Sequence, residues 1–199
     1  AGITFHGARH ENAAISMAEG YAYASGSLGI AVVGRGPATA NGLHAAVYAA
    51  RTGSRVLIIY GDAAFGTSST NALGPDYKAF NALGVLTAAG LQVFRATSAA
   101  GARTTLADAA GLAMQGNAVA LLLPTSIQLA KLDWNDADPA PSVVVSETQA
   151  ESARPEAVQS AVDCLGRSQR PLIIAGLGAH RAGARDALEQ LADRLGALL

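Results

Sequence analysis

Residues 9–41 read RHENAAISMAEGYAYASGSLGIAVVGRGPATAN. The first part of this stretch spaces its apolar residues three and four positions apart, as on the packed face of a helix. Its middle is a continuous apolar run, Leu28–Val33, which is typical of a strand buried on both faces. Gly36 and Pro37 follow this run, and there the chain is predicted to turn from the strand into a further helix. The stretch therefore predicts a helix, a strand and a second helix in succession.

The same alternation continues along the chain. Apolar runs occur at 55–60, 91–95, 118–123 and 171–175, and a shorter strand-like piece lies at 3–6. Helical patterns lie between most of these runs. Strands that alternate with helices form a parallel sheet covered on both faces. We therefore predict a three-layer α/β fold with a mostly parallel sheet, in which the strands at 55–60 and 118–123 are central.

The composition changes between residues 133 and 155, where Asp, Pro, Ser and Glu replace the apolar runs. Such a stretch is typical of a linker between domains. We predict a first domain over 1–135, a linker over 136–154, and the beginning of a second, Rossmann-like α/β domain over 155–199. Elements that would complete the two domains are missing at both ends, so we interpret the sequence as a fragment of a longer polypeptide.

Charge and composition argue against several classes of partner. The net charge is -1, and 15% of the 199 residues are charged. This balance provides no field to attract nucleic acid. Apolar runs are shorter than the roughly 18 to 20 residues needed to span a bilayer, and no leader pattern opens the chain. We expect a cytoplasmic protein that binds neither nucleic acid nor membrane.

The segment from Arg9 to Tyr23, followed by a strand and by the residues GPATAN at 36–41, carries a family resemblance. It resembles the pyrimidine-binding domain of thiamine-diphosphate-dependent enzymes of the acetolactate synthase and 2-oxoacid decarboxylase group. In that group a strand leads into R-H-E-x-x-A-x-x-M-A-x-G-Y-A and the next strand into G-P-G-x-x-N. The resemblance covers nearly the whole chain, because residues 154–199 are similar to the opening of that group's central domain.

The resemblance implies a catalytic role for Glu11. In the family this glutamate bonds the N1′ nitrogen of the aminopyrimidine ring and thereby promotes removal of the C2 proton of the thiazolium. The position is physically reasonable, since Glu11 shares the packed face of its helix with Ala14, Ile15 and Ala18, and a carboxyl there must be partnered or neutral. The alternative is that Glu11 is only a favourable end charge in the first turn of a helix.

The resemblance also implies cofactor contacts at Gly36, Pro37 and Asn41, and it suggests that His10 and Phe65 lie near the substrate. A tight turn and a helix start are the alternative explanation for Gly36, Pro37 and Asn41. The sequence departs from the family pattern at Ala38, where a glycine is usual, and at Gly66, where acetolactate synthases commonly carry a glutamine.

Several further patterns provide little support for a site. Gly61-Asp62 resembles the start of the family's diphosphate-and-magnesium motif, but the rest of that motif is missing, so we expect Mg²⁺ to be held by a domain absent from this chain. Gly176 and Gly178 follow an apolar run as in a dinucleotide fingerprint, which leaves FAD as a further cofactor, but Arg181 replaces the third glycine. The four histidines lack the paired spacing of a metal site, so no metal ligand is assigned.

These observations leave two functions open. The first is a thiamine-diphosphate-dependent lyase or carboligase acting on a 2-oxoacid, as part of a homodimer or homotetramer. The second is a catalytically silent or regulatory relative that keeps the fold as a binding module. The presence of Glu11 favours the enzyme. This fragment alone is expected to be inactive, because it lacks the residues that would hold magnesium and diphosphate.

Overall fold

Four of the apolar runs form strands that pair in one sheet. These are β1 (Gly29–Arg35), β2 (Val56–Asp62), β3 (Gln92–Arg95) and β4 (Ala118–Pro124). Every pairing is parallel and the order is β1-β2-β4-β3. The computed structural model describes residues 3–64, 78, 80–131, 142–143 and 152–199. Within them the chain divides into two units, Ala1–Thr148 and Gln149–Leu199.

The two strands predicted to be central are central. β2 and β4 pair along their whole length, from Val56 beside Ala118 to Asp62 beside Pro124. Leu57 faces one side of the sheet and Ile58 the other, and both are fully buried. A strand whose successive side chains are all apolar is stable only when both faces are covered. The continuous apolar runs in the sequence therefore identified the middle of the sheet.

Helices cover both faces of the sheet, which confirms the three-layer α/β fold. The elements α1 (Glu11–Ser25), α2 (Pro37–Thr52) and α3 (Ala82–Ala88) pack on the face that includes Ile58. The helix α4 (Ala99–Met114) packs on the face that includes Leu57. A short helix, α5 (Thr125–Gln128), follows β4 directly. Full burial of each large apolar side chain contributes about 1.5 to 3 kcal/mol, so these two interfaces provide most of the unit's stability.

The second unit contains three helices among its described residues, namely α6 (Pro155–Gly166), α7 (Leu177–Arg181) and α8 (Arg185–Leu195). The apolar residues of α6 and α8 recur at helical spacing, as Val158, Val162 and Leu165 do in α6. The strand predicted at 171–175 is wrong, because only a single parallel bridge forms, between Leu172 and Leu198.

The piece at 3–6 also forms no strand. An apolar run becomes a strand only where a neighbouring strand satisfies its N–H and C=O groups. The run at 3–6 has no such neighbour among the described residues, and the run at 171–175 has one only at Leu198. No helix in the described ranges is long and apolar enough to cross a membrane.

Candidate functional site

The N-terminal turns of α1 and α2 lie side by side. Glu11 is the first residue of α1, and Asn41 lies in the second turn of α2. The amide Nδ2 of Asn41 donates a hydrogen bond to Oε2 of Glu11 over 3.3 Å. Since α2 begins where β1 ends, the pair lies toward the carboxyl ends of the strands. Open parallel sheets usually bind their ligands there.

Glu11 is half-buried and packs against Gly42 of α2. A Cβ atom built on Gly42 would approach Cδ1 of Ile15 to 2.7 Å and Cβ of Glu11 to 3.5 Å. Gly42 therefore allows α1 to pack closely against α2. The carboxylate is held against the second helix and remains partly accessible, which is the situation required of a group that exchanges a proton with a ligand.

His10 is the N-cap of α1. Its Nδ1 accepts a hydrogen bond from the backbone N–H of Asn12 over 3.1 Å, so this nitrogen carries no proton and a neutral ring is protonated at Nε2. The ring is exposed. His10 therefore provides a local structural function, satisfying an otherwise unpaired N–H at the helix start. Its predicted place near a substrate stays a prediction.

Gly36 and Pro37 form the turn between β1 and α2. Gly36 has φ 70° and ψ -118°, a conformation that favours glycine, and a Cβ atom there would overlap the carbonyl oxygen of Lys78. Pro37 is the first residue of α2 and is exposed. Ala38 is buried, and a Cβ atom on Gly34 would lie 3.3 Å from its methyl group. These contacts explain the turn, whereas cofactor contacts for Gly36 and Pro37 stay predictions.

Sequence reasoning missed the residue next to Glu11. The side-chain oxygen Oδ1 of Asn12 accepts a hydrogen bond from the backbone N–H of Ala45 over 2.9 Å. This bond joins the first turn of α1 to the middle of α2 across 33 residues of sequence. The motif that contains Glu11 also contains Asn12. The hydrogen bond of Asn12 depends on how α1 and α2 pack, so the sequence alone does not indicate it.

Asp62, at the end of β2, is buried and bonded within the protein. Its carboxylate pairs with the guanidinium of Arg95 at 2.7 Å, and its backbone oxygen accepts a hydrogen bond from the Thr125 hydroxyl at 3.0 Å. A buried carboxylate needs such a cation nearby. These contacts give Asp62 a structural role, in agreement with the incomplete diphosphate motif at Gly61-Asp62.

Tyr60 lies on the same strand and is fully buried. Burial raises the pKa of its phenol well above the usual range. The Tyr60 hydroxyl has no hydrogen-bond partner among the described residues. It is therefore a buried polar group whose desolvation is uncompensated in this part of the chain.

Phe65 and Gly66 lie outside the described residues, as does most of the predicted linker. In the part of the chain that is described, no three His, Cys, Asp or Glu side chains come together in a way that could hold a metal ion.

Two kinds of comparison relate this chain to known proteins. Residues 1–83 match the family model described as thiamine pyrophosphate enzyme, N-terminal TPP binding domain. A probable acetolactate synthase large subunit from Methanococcus aeolicus is 29% identical over 192 residues, covering 94% of this chain and 31% of the relative. An acetolactate synthase from Arthrospira platensis is 25% identical over 189 residues, covering 94% of this chain and 32% of the relative.

The chain thus spans about a third of the length of these curated relatives. The matched residues contain Glu11, Asn12, Gly36 and Asn41. They also contain β1 and β2 of the parallel sheet. Residues 1–83 of this chain are therefore similar to the N-terminal TPP binding domain of the thiamine pyrophosphate enzymes.

Proposed function

We propose that this chain is the part of a thiamine-diphosphate-dependent 2-oxoacid lyase or carboligase that activates the cofactor through Glu11. The observation that supports the proposal best is the position of Glu11 at the start of α1, half-buried and hydrogen-bonded by Asn41. The similarity to two acetolactate synthases supports a 2-oxoacid as the substrate class.

The residues present fit an aminopyrimidine ring. A ring nitrogen that gains a proton needs a carboxylate partner, and Glu11 provides one at an accessible edge. Asn41, which is exposed, bonds one carboxylate oxygen and fixes its direction. Thiamine diphosphate, when bound, supplies the carbon that attacks the carbonyl of the 2-oxoacid. The contribution of Glu11 is to hold and move a proton at its carboxylate.

The proposal extends beyond this chain in two respects. Magnesium and diphosphate would be held by a further domain, and the active unit would be a dimer or tetramer in which two subunits form each site. Flavin has weaker support. The glycines Gly176 and Gly178 flank the start of α7, which is only five residues long, and Arg181 occupies the place of a third glycine.

The alternative of a catalytically silent relative rests on Ala38 and Gly66, of which only Ala38 is among the described residues. Its methyl group is buried at the turn where the family pattern has a glycine, so the backbone near Gly36 is less open to a ligand. Glu11 and Asn41 are nevertheless both present and in contact. The two functions differ in whether bound cofactor is activated, and that can be measured.

The test is Glu11→Gln in the complete enzyme. The amide fills the same volume as the carboxylate but cannot pass a proton. We therefore expect the Kd of the cofactor to change little. The rate of C2 proton exchange of bound thiamine diphosphate should fall about a hundredfold or more, which corresponds to roughly 3 kcal/mol of activation barrier.

The matched control for Glu11→Gln is Glu156→Gln, the same change in the first turn of α6. It should leave C2 exchange unaltered. If Glu11→Gln also exchanges at the parent rate, Glu11 has no part in activation. Parent enzyme that binds cofactor without accelerating exchange would favour the silent relative.

A further inference from the structure

The contact between Asn12 and Ala45 joins the start of α1, which carries Glu11, to the middle of α2. A side-chain oxygen of α1 accepts from a backbone N–H in the middle of α2, at Ala45, over 2.9 Å and in a partly buried environment. The bond is thus partly shielded from water, in which it would contribute less. It ties α1 to α2 at the residue that directly follows Glu11.

Three neighbouring contacts limit how far the first turn of α1 can move. The backbone N–H of Asn12 donates to His10 Nδ1, which fixes the cap. Ile15, one turn further along, is fully buried and lies against Gly42. Asn41, one turn before Ala45, bonds the Glu11 carboxylate. Of the two polar contacts between α1 and α2, that of Asn12 reaches the backbone of α2, whereas that of Asn41 joins two side chains.

We propose that Asn12 is a positioning residue, which holds the Glu11 carboxylate in place by fixing the first turn of α1 on α2. Asn12 itself need not touch the cofactor. The inference rests on the proposed function of Glu11, because only a reacting carboxylate needs to be held this accurately. A misplacement of about 1 Å can lower a rate by about a hundredfold.

The test compares Asn12→Leu, which is similar in size but has no acceptor, with Asn12→Asp, which keeps the acceptor oxygen. In the cofactor-free complete enzyme, backbone amides of residues 12–14 and of Ala45 should exchange with deuterium about tenfold faster in Asn12→Leu, because the turn opens more often. In Asn12→Asp they should exchange near the parent rate. This measurement requires no bound cofactor.

In the loaded enzyme, Asn12→Leu should lower C2 proton exchange about tenfold or more, with a cofactor Kd within about threefold of the parent. Asn12→Asp should recover most of the C2 exchange. The control is Asn117→Leu, which removes a comparable side-chain bond, from Asn117 Nδ2 to the Leu112 carbonyl, at the amino end of β4. It should leave C2 exchange unchanged.

Parent-like C2 exchange in Asn12→Leu, or an equal loss in Asn12→Leu and Asn117→Leu, would overturn the positioning role. The result for Glu11→Gln separates the two proposals. If Glu11→Gln abolishes exchange while Asn12→Leu leaves it intact, only the positioning inference fails. If Glu11→Gln leaves exchange intact, the proposed function fails first. Should Asn12→Leu not fold, Asn12→Ala, which also lacks the acceptor, takes its place in both measurements.

Discussion

At the residue scale, polar side chains near the carboxyl ends of the strands differ in whether they have a hydrogen-bond or ion-pair partner. Glu11 is bonded by Asn41, and Asp62 by Arg95. Tyr60 lies two residues before Asp62 on β2, and its hydroxyl has no partner among the described residues. A buried polar group without a partner costs about 1 to 3 kcal/mol. The Tyr60 hydroxyl therefore lowers stability instead of supporting it.

Tyr60→Phe should raise the free energy of unfolding by about 1 kcal/mol at neutral pH, as measured by urea denaturation. The exposed Tyr21 provides the control, since Tyr21→Phe should change nothing. A clear loss of stability in Tyr60→Phe would mean that the hydroxyl has a partner after all.

Tyr60 should also make stability fall at alkaline pH. Its phenol has a pKa of 10.0 when unfolded and a higher pKa when folded. As the pH rises above about 10, the unfolded chain loses this proton before the folded one does, so unfolding becomes more favourable. Tyr60→Phe should remove this contribution, and the difference in stability from the parent should grow between about pH 10 and 11.

At the scale of elements, close packing of α1 on the sheet depends on a glycine at the start of β1. A Cβ atom on Gly29 would overlap the backbone carbonyl of Ala18 in α1. A backbone atom cannot rotate away as a side chain can. Every Cβ-bearing residue at this position would therefore push α1, including its N-terminal turn with Glu11, off the sheet.

Gly29→Ala should lower the free energy of unfolding by about 1 to 3 kcal/mol, the usual cost of overpacking a core. The matched control is Gly20→Ala in α1, where a Cβ atom meets nothing within 4 Å. Because alanine favours the helix, this variant should be more stable than the parent by about 0.5 to 1 kcal/mol. The Tm of Gly29→Ala should fall below that of the parent, and the Tm of Gly20→Ala should rise above it. Equal shifts would show that α1 does not pack on Gly29 as described.

At the scale of the whole molecule, the two units differ in how much core they contain. Side chains of the first unit form two apolar clusters, one on each face of its sheet. In the described part of the second unit only Ala192 is buried, and apolar side chains such as Ile174 and Val162 are exposed. Little apolar burial provides little stabilisation, so the first unit is the stable part of the described chain.

The chain by itself should bind thiamine diphosphate weakly. It provides a carboxylate for the ring, whereas the charge pairing of diphosphate with magnesium would come from a further domain under the proposed function. We expect a Kd of about 1 mM or weaker by calorimetry, near 4 kcal/mol, and no turnover. Micromolar binding by this chain would contradict the proposal that a further domain supplies the diphosphate and magnesium contacts.

The sequence by itself determined the elements whose cause is local. Continuous apolar runs identified β2 and β4 as central strands, and the apolar spacing around Glu11 identified α1, whereas the catalytic role of Glu11 stays a prediction. The tertiary structure alone decided the contacts that join distant residues, such as Asn12 with Ala45. It also decided that the runs at 3–6 and 171–175 form no strand. Pairing of this kind depends on which neighbour the fold brings within about 3 Å, and a local pattern does not contain that information.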